Sequence, residues 1–368
     1  MKILHLTTHL NLGGISKYIL SVGEPLRSKG HELYLASSGG EMEAEFSAAG
    51  FRIKTLPIRT KSELSPKIYW ALPALIRWIR EEKIDLIHAH TRITQVMSQW
   101  LQWITGIPFM TTCHGFYKSR LGRRILPAWG KEVVAISEPV GTHLRDSFHV
   151  PPDRIRIVYN GVDLRAFVNQ FFEHRPGDVR KEYNIPERAF VAGSTSRLVP
   201  DKGHEYLIRA LKKLEFEMPD MHVIIVGDGR HRKALEALSR ELKVDRRIHF
   251  TGNLRDVSRP LAAMDIFVLP ATWREGFGLS IVEAMACQKP VIVTNIWALN
   301  TLIQNQVNGV LVEPRSVEEL AGAIRRFFED AGFRDRIGQA GRAAAEERFS
   351  LHRMVEELED VYEEVLRN

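Results

Sequence analysis

Short apolar runs alternating with helical patterns constrain this chain more than any other feature. Lys2–Thr8, His31–Ser37 and Phe51–Leu56 read as strands, separated by a helix from about Lys17 to Ser28 and an acidic helix ending at Ala49. The beat returns with strands at Phe190–Ser194, His222–Val226, Ile248–Thr251, Ile266–Leu269 and Val291–Thr294, again with helical spacing between them. Apolar strands joined by helices build parallel sheets covered on both faces. The expected class is therefore α/β. At 368 residues the chain exceeds one ordinary core and divides into two such domains. The polar stretch from about Val168 to Arg188 is the hinge candidate, giving domains 1–168 and 169–349 and a last helix over 350–368.

Within the second domain, Leu269–Cys287 runs from a strand through a glycine-bearing loop into a helix opening at about Ser280. Backbone N–H groups at such a turn and the positive end of the helix dipole make a seat for an anion. Glu275 precedes the turn, Gly276, Phe277, Gly278 and Leu279 form it, and Glu283 follows in the helix. Each glutamate read singly is also compatible with a solvated surface carboxylate. Upstream, Arg197 and Lys202 follow another strand and precede another helix, a fork of donors and a point charge suited to a diphosphate. Gly227-Asp228-Gly229 ends the next strand in a further glycine turn.

The first domain offers a parallel set. Gly13 and Gly14 stand at the mouth of its first helix without the G-x-G-x-x-G spacing of a dinucleotide site, which leaves NAD binding a minor alternative. His88 and His90 share one strand face, and spacing shows them no third metal ligand, so a hydrogen-bonding role is expected over a metal pair. His114 follows the next strand at the edge where doubly wound sheets bind ligands.

Together Gly13-Gly14, Arg197, Lys202, Glu275 and Glu283, in this order and spacing, resemble the retaining glycosyltransferases of family 4. The resemblance spans nearly the whole chain. It implies the GT-B architecture, two Rossmann-like doubly wound parallel-sheet domains facing an interdomain cleft, with the last helix crossing back to the first domain. It further implies transfer of a sugar, with retention, from a nucleotide diphosphate sugar, UDP-sugar favoured and GDP-sugar also open, to an acceptor hydroxyl in cell-envelope glycan, lipopolysaccharide or glycolipid synthesis. In the roles so implied, Arg197 and Lys202 neutralise the leaving diphosphate and Glu283 holds the ribose. Glu275 and the backbone of Gly276–Leu279 orient the sugar, with Gly13, Gly14 and Gly227 also at the donor, and His114 contacts the sugar. Trp297-Ala298 and Asn300-Thr301 stand where the family commonly has Gly-Gly and Pro-Glu. A nonhydrolysing sugar-nucleotide epimerase and a noncatalytic sugar-nucleotide-binding protein are the alternatives.

No Asp-x-Asp occurs, so metal independence is expected, and no cofactor is implied, the nucleotide sugar being a substrate. The amino terminus enters a strand directly and no stretch is apolar enough to span a bilayer, so a cytoplasmic address is expected. Cys113 and Cys287 are expected as buried free thiols. Residues 1–168 carry 22 Lys/Arg against 14 Asp/Glu, an excess that predicts an anionic partner. No nucleic-acid module accompanies it. Lys118, Arg120, Arg123, Arg124 and Lys131, interleaved with Leu121, Ile125, Leu126 and Trp129, form a basic amphipathic pattern. An anionic membrane surface with a lipid-linked or glycan acceptor is therefore the expected partner, and an ordinary helix with a solvated basic face is the alternative.

Overall fold

The computed structural model describes residues 1–60, 62–63, 65–118, 121–273 and 275–367. The chain divides into Met1–Gly161 with Leu351–Asn368, and Val162–Ser350.

The first unit holds a parallel sheet of β1 (Lys2–Leu6), β2 (Glu32–Ser37), β3 (Arg52–Thr55), β4 (Leu86–Ala89), β5 (Phe109–Cys113), β6 (Val133–Ala135) and β7 (Ile155–Ile157). Their order is β3-β2-β1-β4-β5-β6-β7. Alternation along β1 sends Leu4 and Leu6 to one face, against Ile68, Leu75, Met97 and Leu101 of helices Pro66–Glu82 and Arg92–Thr105. Ile3 faces the other way, onto Ile19, Val22 and Leu26 of helix Gly14–Ser28 and Leu358, Val361 and Tyr362 of helix Leu351–Arg367. That last helix is further tied by Glu359 to Lys29 at 2.6 Å and to His31 at 2.8 Å.

The second unit holds β8 (Phe190–Thr195), β9 (Met221–Val226), β10 (Ile248–Gly252), β11 (Ile266–Leu269), β12 (Val291–Thr294) and β13 (Val310–Val312) in the order β10-β9-β8-β11-β12-β13. One face packs Ala192, Val223, Ile225 and Val268 against Leu207, Leu211, Leu320 and Ile324.

The expected hinge is mostly helix: Leu164–Phe172, capped by the Asp163 carboxylate accepting from Ala166 N–H at 3.0 Å, and Pro176–Glu182. Val168, Phe171 and Val179 are buried, and Arg180 pairs with Asp265 at 2.9 Å. Apolar burial and this ion pair fix both helices to the second unit, which begins at Val162, upstream of the boundary expected after Val168.

Candidate active site

In the second sheet the chain runs outward from β8 through β9 to β10, then returns to β8's other side with β11. The strand order reverses there, and open α/β sheets bind ligands at the carboxyl ends of the strands flanking such a reversal. The loop after β8 carries Arg197 and Lys202, and the loop after β11 carries Glu275–Leu279. Topology alone therefore brings these residues together across seventy positions of chain.

The two loops are locked to one another. Thr272 N–H donates to Asp201 C=O at 2.9 Å, and the Lys202 ammonium pairs with the Glu275 carboxylate. Gly203 adopts φ +68, and a Cβ there would collide with the carbonyl oxygen of Pro270, so only glycine lets the loops close this far. The Arg197 loop is held from its other side by the β9 turn: Leu198 N–H donates to Asp228 C=O at 2.9 Å and His231 N–H to Leu198 C=O at 3.0 Å. Gly227 joins that turn, donating to Gly252 C=O at 2.8 Å. Arg197 is exposed, with no carboxylate partner among the described residues.

Gly278, at φ +97, ends the loop and starts helix Leu279–Ala286, and as a glycine it brings no side-chain cap to the first N–H groups of that helix. Phe277 is buried edge-on to Phe349 and can offer a ligand only its backbone. Gly276 and Leu279 flank it, and Glu283 lies half-buried one turn into the helix. Leu299 and Leu302 press on the Gly278 side of this turn, so the segment from Trp297 to Thr301 supports the loop through its buried leucine while Trp297 faces solvent.

The first sheet reverses between β1 and β4, with Gly13 and Gly14 in the turn after β1 and His114 just beyond β5. Gly13 is extended, so the turn does not demand glycine for its dihedrals. Here the structure adds a cluster that spacing did not reveal. His5 of β1 joins His88 and His90, the three offering ligand atoms within 4.8 Å of one another. His5 Nδ1 lies 3.0 Å from His90 Nε2, and His90 Nδ1 lies 3.1 Å from His114 Nε2. His88 bonds Tyr362 Oη at 2.8 Å through Nδ1 and Thr112 Oγ1 at 2.7 Å through Nε2. Burial pushes His5 and His114 down to about 3, and His88 and His90 well below the ordinary value, with neighbouring imidazoles adding to it. The rings are neutral. A neutral triad suits a metal, yet both nitrogens of His88 and of His90 are already engaged, and only His5 Nε2 has no partner. The signal for the third histidine was available only as register: β1 pairs His5 with His88.

The expected membrane segment is corrected. Among the described residues of this stretch only Leu121–Ile125 is helical, and Arg123, 6% exposed, lies over the Tyr117 ring at 3.9 Å with Trp129 and Phe148 beside it. Trp129 is 5% exposed, and Lys131 donates to Val365 C=O at 3.1 Å. Aromatic rings thus take both Arg123 and Trp129 into the interior, where neither meets a surface. Lys118 is exposed; Arg120 lies outside the described residues, as does the side chain of Arg124. Both cysteines are buried free thiols.

Residues 12–166 match the family model described as Glycosyltransferase Family 4, and residues 177–344 match Glycosyl transferases group 1. The UDP-Gal:alpha-D-GlcNAc-diphosphoundecaprenol alpha-1,3-galactosyltransferase of Escherichia coli is 25% identical, over 100% of this chain and 98% of that protein. The N-acetyl-alpha-D-glucosaminyl L-malate synthase of Bacillus anthracis is 26% identical, over 99% of this chain and 97% of that one. Among solved structures, a glycosyltransferase from Rickettsia africae superposes with a TM-score of 0.88 at 26% identity, over 100% of this chain and 99% of its own. Matched by these two models along both of its sheets, the chain belongs to glycosyltransferase family 4 and has the GT-B fold.

Proposed function

We propose that the chain transfers a sugar, with retained anomeric configuration and without a metal, from a UDP-sugar to an acceptor hydroxyl in envelope glycan or glycolipid synthesis. The observation that carries this reading is the convergence of Lys202, exposed Arg197 and the uncapped helix start after Gly278 at one strand-order reversal. Two cations and a row of N–H groups there match the two charges of a leaving nucleoside diphosphate. In the reaction the acceptor oxygen bonds to the anomeric carbon as the bond from that carbon to the phosphate oxygen breaks. The acceptor proton passes to the departing phosphate, so no protein nucleophile is used. Glu283 holds the ribose hydroxyls. Glu275, released from Lys202 as the ammonium turns to phosphate, orients the sugar. UDP is favoured because the relative in Escherichia coli carries UDP-Gal in its name.

The two relatives differ in acceptor, one a diphosphoundecaprenol-linked sugar and the other L-malate by their names. An exposed aromatic group on the first unit favours the lipid-linked class. Trp103 and Trp70 are 59% and 77% exposed, and Tyr69, Trp100 and Trp103 form a chain of edge contacts. Ile104, Ile125 and Lys118 of the same unit are exposed as well. Tryptophan and tyrosine with flanking cations suit the headgroup level of a membrane. No helix among the described residues is long and apolar enough to cross one.

Incubation with a panel of nucleotide sugars, with and without chelator, tests the reaction. Slow release of free sugar and UDP, unaffected by chelator, is expected. A new epimeric nucleotide sugar would make it an epimerase, binding without turnover a sensor, and loss of turnover restored by divalent ions would end metal independence.

A further inference from the structure

Strand alternation places His5, His88, His90, Thr112 and His114 on one face of the first sheet, beneath Tyr18 and Tyr362 of the two helices that cover it. The three rings His5, His90 and His114 step across β1, β4 and β5 toward the carboxyl edge, each bonded to the next. A neutral imidazole has one N–H and one lone pair. His90 uses both nitrogens, so it donates through one and accepts through the other, and both bonds of the chain run in the same direction.

Two directions exist. If His90 donates toward His5, then His5 must accept at Nδ1 and carry its proton on Nε2, the buried nitrogen with no partner. That strands an N–H in the core, the rarer and costlier orphan. If His5 donates instead, only a lone pair is left bare. His90 then accepts at Nε2 and donates from Nδ1, and His114 accepts at Nε2.

We propose that His5 and His90 are positioning residues that fix His114 as the Nδ1–H tautomer and hold its ring in place through a one-directional hydrogen-bond relay. The relay gives the outermost ring a set donor and acceptor without any charged partner, since among the described residues only burial and neighbouring imidazoles act on these four rings. Its functional value rests on the reading that His114 meets the donor sugar, where a ring with its proton on a defined nitrogen can donate to a sugar oxygen from a pre-set position.

The test uses the full chain labelled with 15N-histidine and long-range proton–nitrogen correlation at neutral pH. The expected result is a proton on Nδ1 and a bare Nε2 for His5, His90 and His114 alike. His90→Phe should move His114 to the other tautomer or to a mixture and lower kcat at least about tenfold. Its KM for the donor and the affinity for UDP should stay unchanged. His5→Phe, which removes the first donor but leaves both other rings, should shift the His90 and His114 tautomers in the same sense. A wild-type His114 protonated on Nε2, or a His114 tautomer unmoved in both variants, overturns the relay. Stoichiometric zinc uptake lost in His90→Phe would replace the relay with a metal site. If the tautomers behave as expected but His114→Ala transfers sugar at the wild-type rate, the relay stands and the sugar-contact reading falls.

Discussion

Acidification from pH 7.5 to 5.5 should destabilise the first unit far more than its size alone suggests. His5, His88, His90 and His114 are held neutral by burial, His5 and His114 at about 3 and the other two well below the usual 6.5. In the unfolded chain they titrate near 6.5. Below that value the unfolded state binds protons that the folded state does not, so stability falls with falling pH. The loss continues until the folded value near 3 is reached. At pH 5.5, one unit below the unfolded value, each ring costs about 1.4 kcal/mol, and the four together about 6 kcal/mol. A domain of this size has about 5–15 kcal/mol in all. Carboxylates scarcely intervene in this window, since those held low, such as Glu359 beside Lys29, begin to release stability only nearer pH 4. In the second unit His204, His249 and His222 are lowered as well, so the two units must be read separately. Hydrogen exchange with mass-spectrometric detection does this, following peptides from β1, β4 and β5. Their opening free energy should fall by several kcal/mol between pH 7.5 and 5.5. His5→Phe should remove about a quarter of the slope. A flat profile in these peptides, or an unchanged slope in that variant, would refute the argument.

The sheets, their strand spacing and the paired cations of the second unit were legible because each depends on local pattern: a buried strand, a glycine turn, a helix. The meeting of Lys202 with Glu275 was legible only as membership of one site. Their direct ion pair follows from the closeness of the two loops at the strand-order reversal, which no local spacing encodes. His5 was missed for a related reason, since it lies far from His88 in the chain and joins it only through the β1–β4 register. The segment around Arg123 misled in the opposite direction. Its basic and apolar residues alternate as an amphipathic helix would, but Pro127 and Gly130 leave a helix of five residues, and three aromatic rings draw the guanidinium inward.

Further tests bear on the site and its surface. Lys202→Ala should cut transfer by about 10²- to 10³-fold, as loss of one preorganised charge contact does, measured as kcat with saturating donor. Glu275→Gln should leave UDP affinity in calorimetry nearly intact while lowering kcat; the reverse pattern would exchange the two roles. Gly203→Ala forces a Cβ onto the Pro270 carbonyl at a left-handed position and should cost at least about 2 kcal/mol in urea unfolding. Arg123→Ala should lower unfolding stability by about 1–2 kcal/mol, the worth of a desolvated cation on aromatic faces, and leave vesicle affinity unchanged. The proposed lipid contact would instead fall to Trp70 and Trp103, whose rings are already exposed. Burying such a ring in a headgroup layer gains about 25 cal/mol per Å² of apolar area, so removing both should weaken binding at least about tenfold. Cosedimentation with vesicles containing anionic lipid should therefore be strong for the wild type and weak for Trp70→Ala/Trp103→Ala. Equal binding of the two proteins would remove this face as the membrane contact and leave a soluble acceptor, as in the malate-using relative, the better reading.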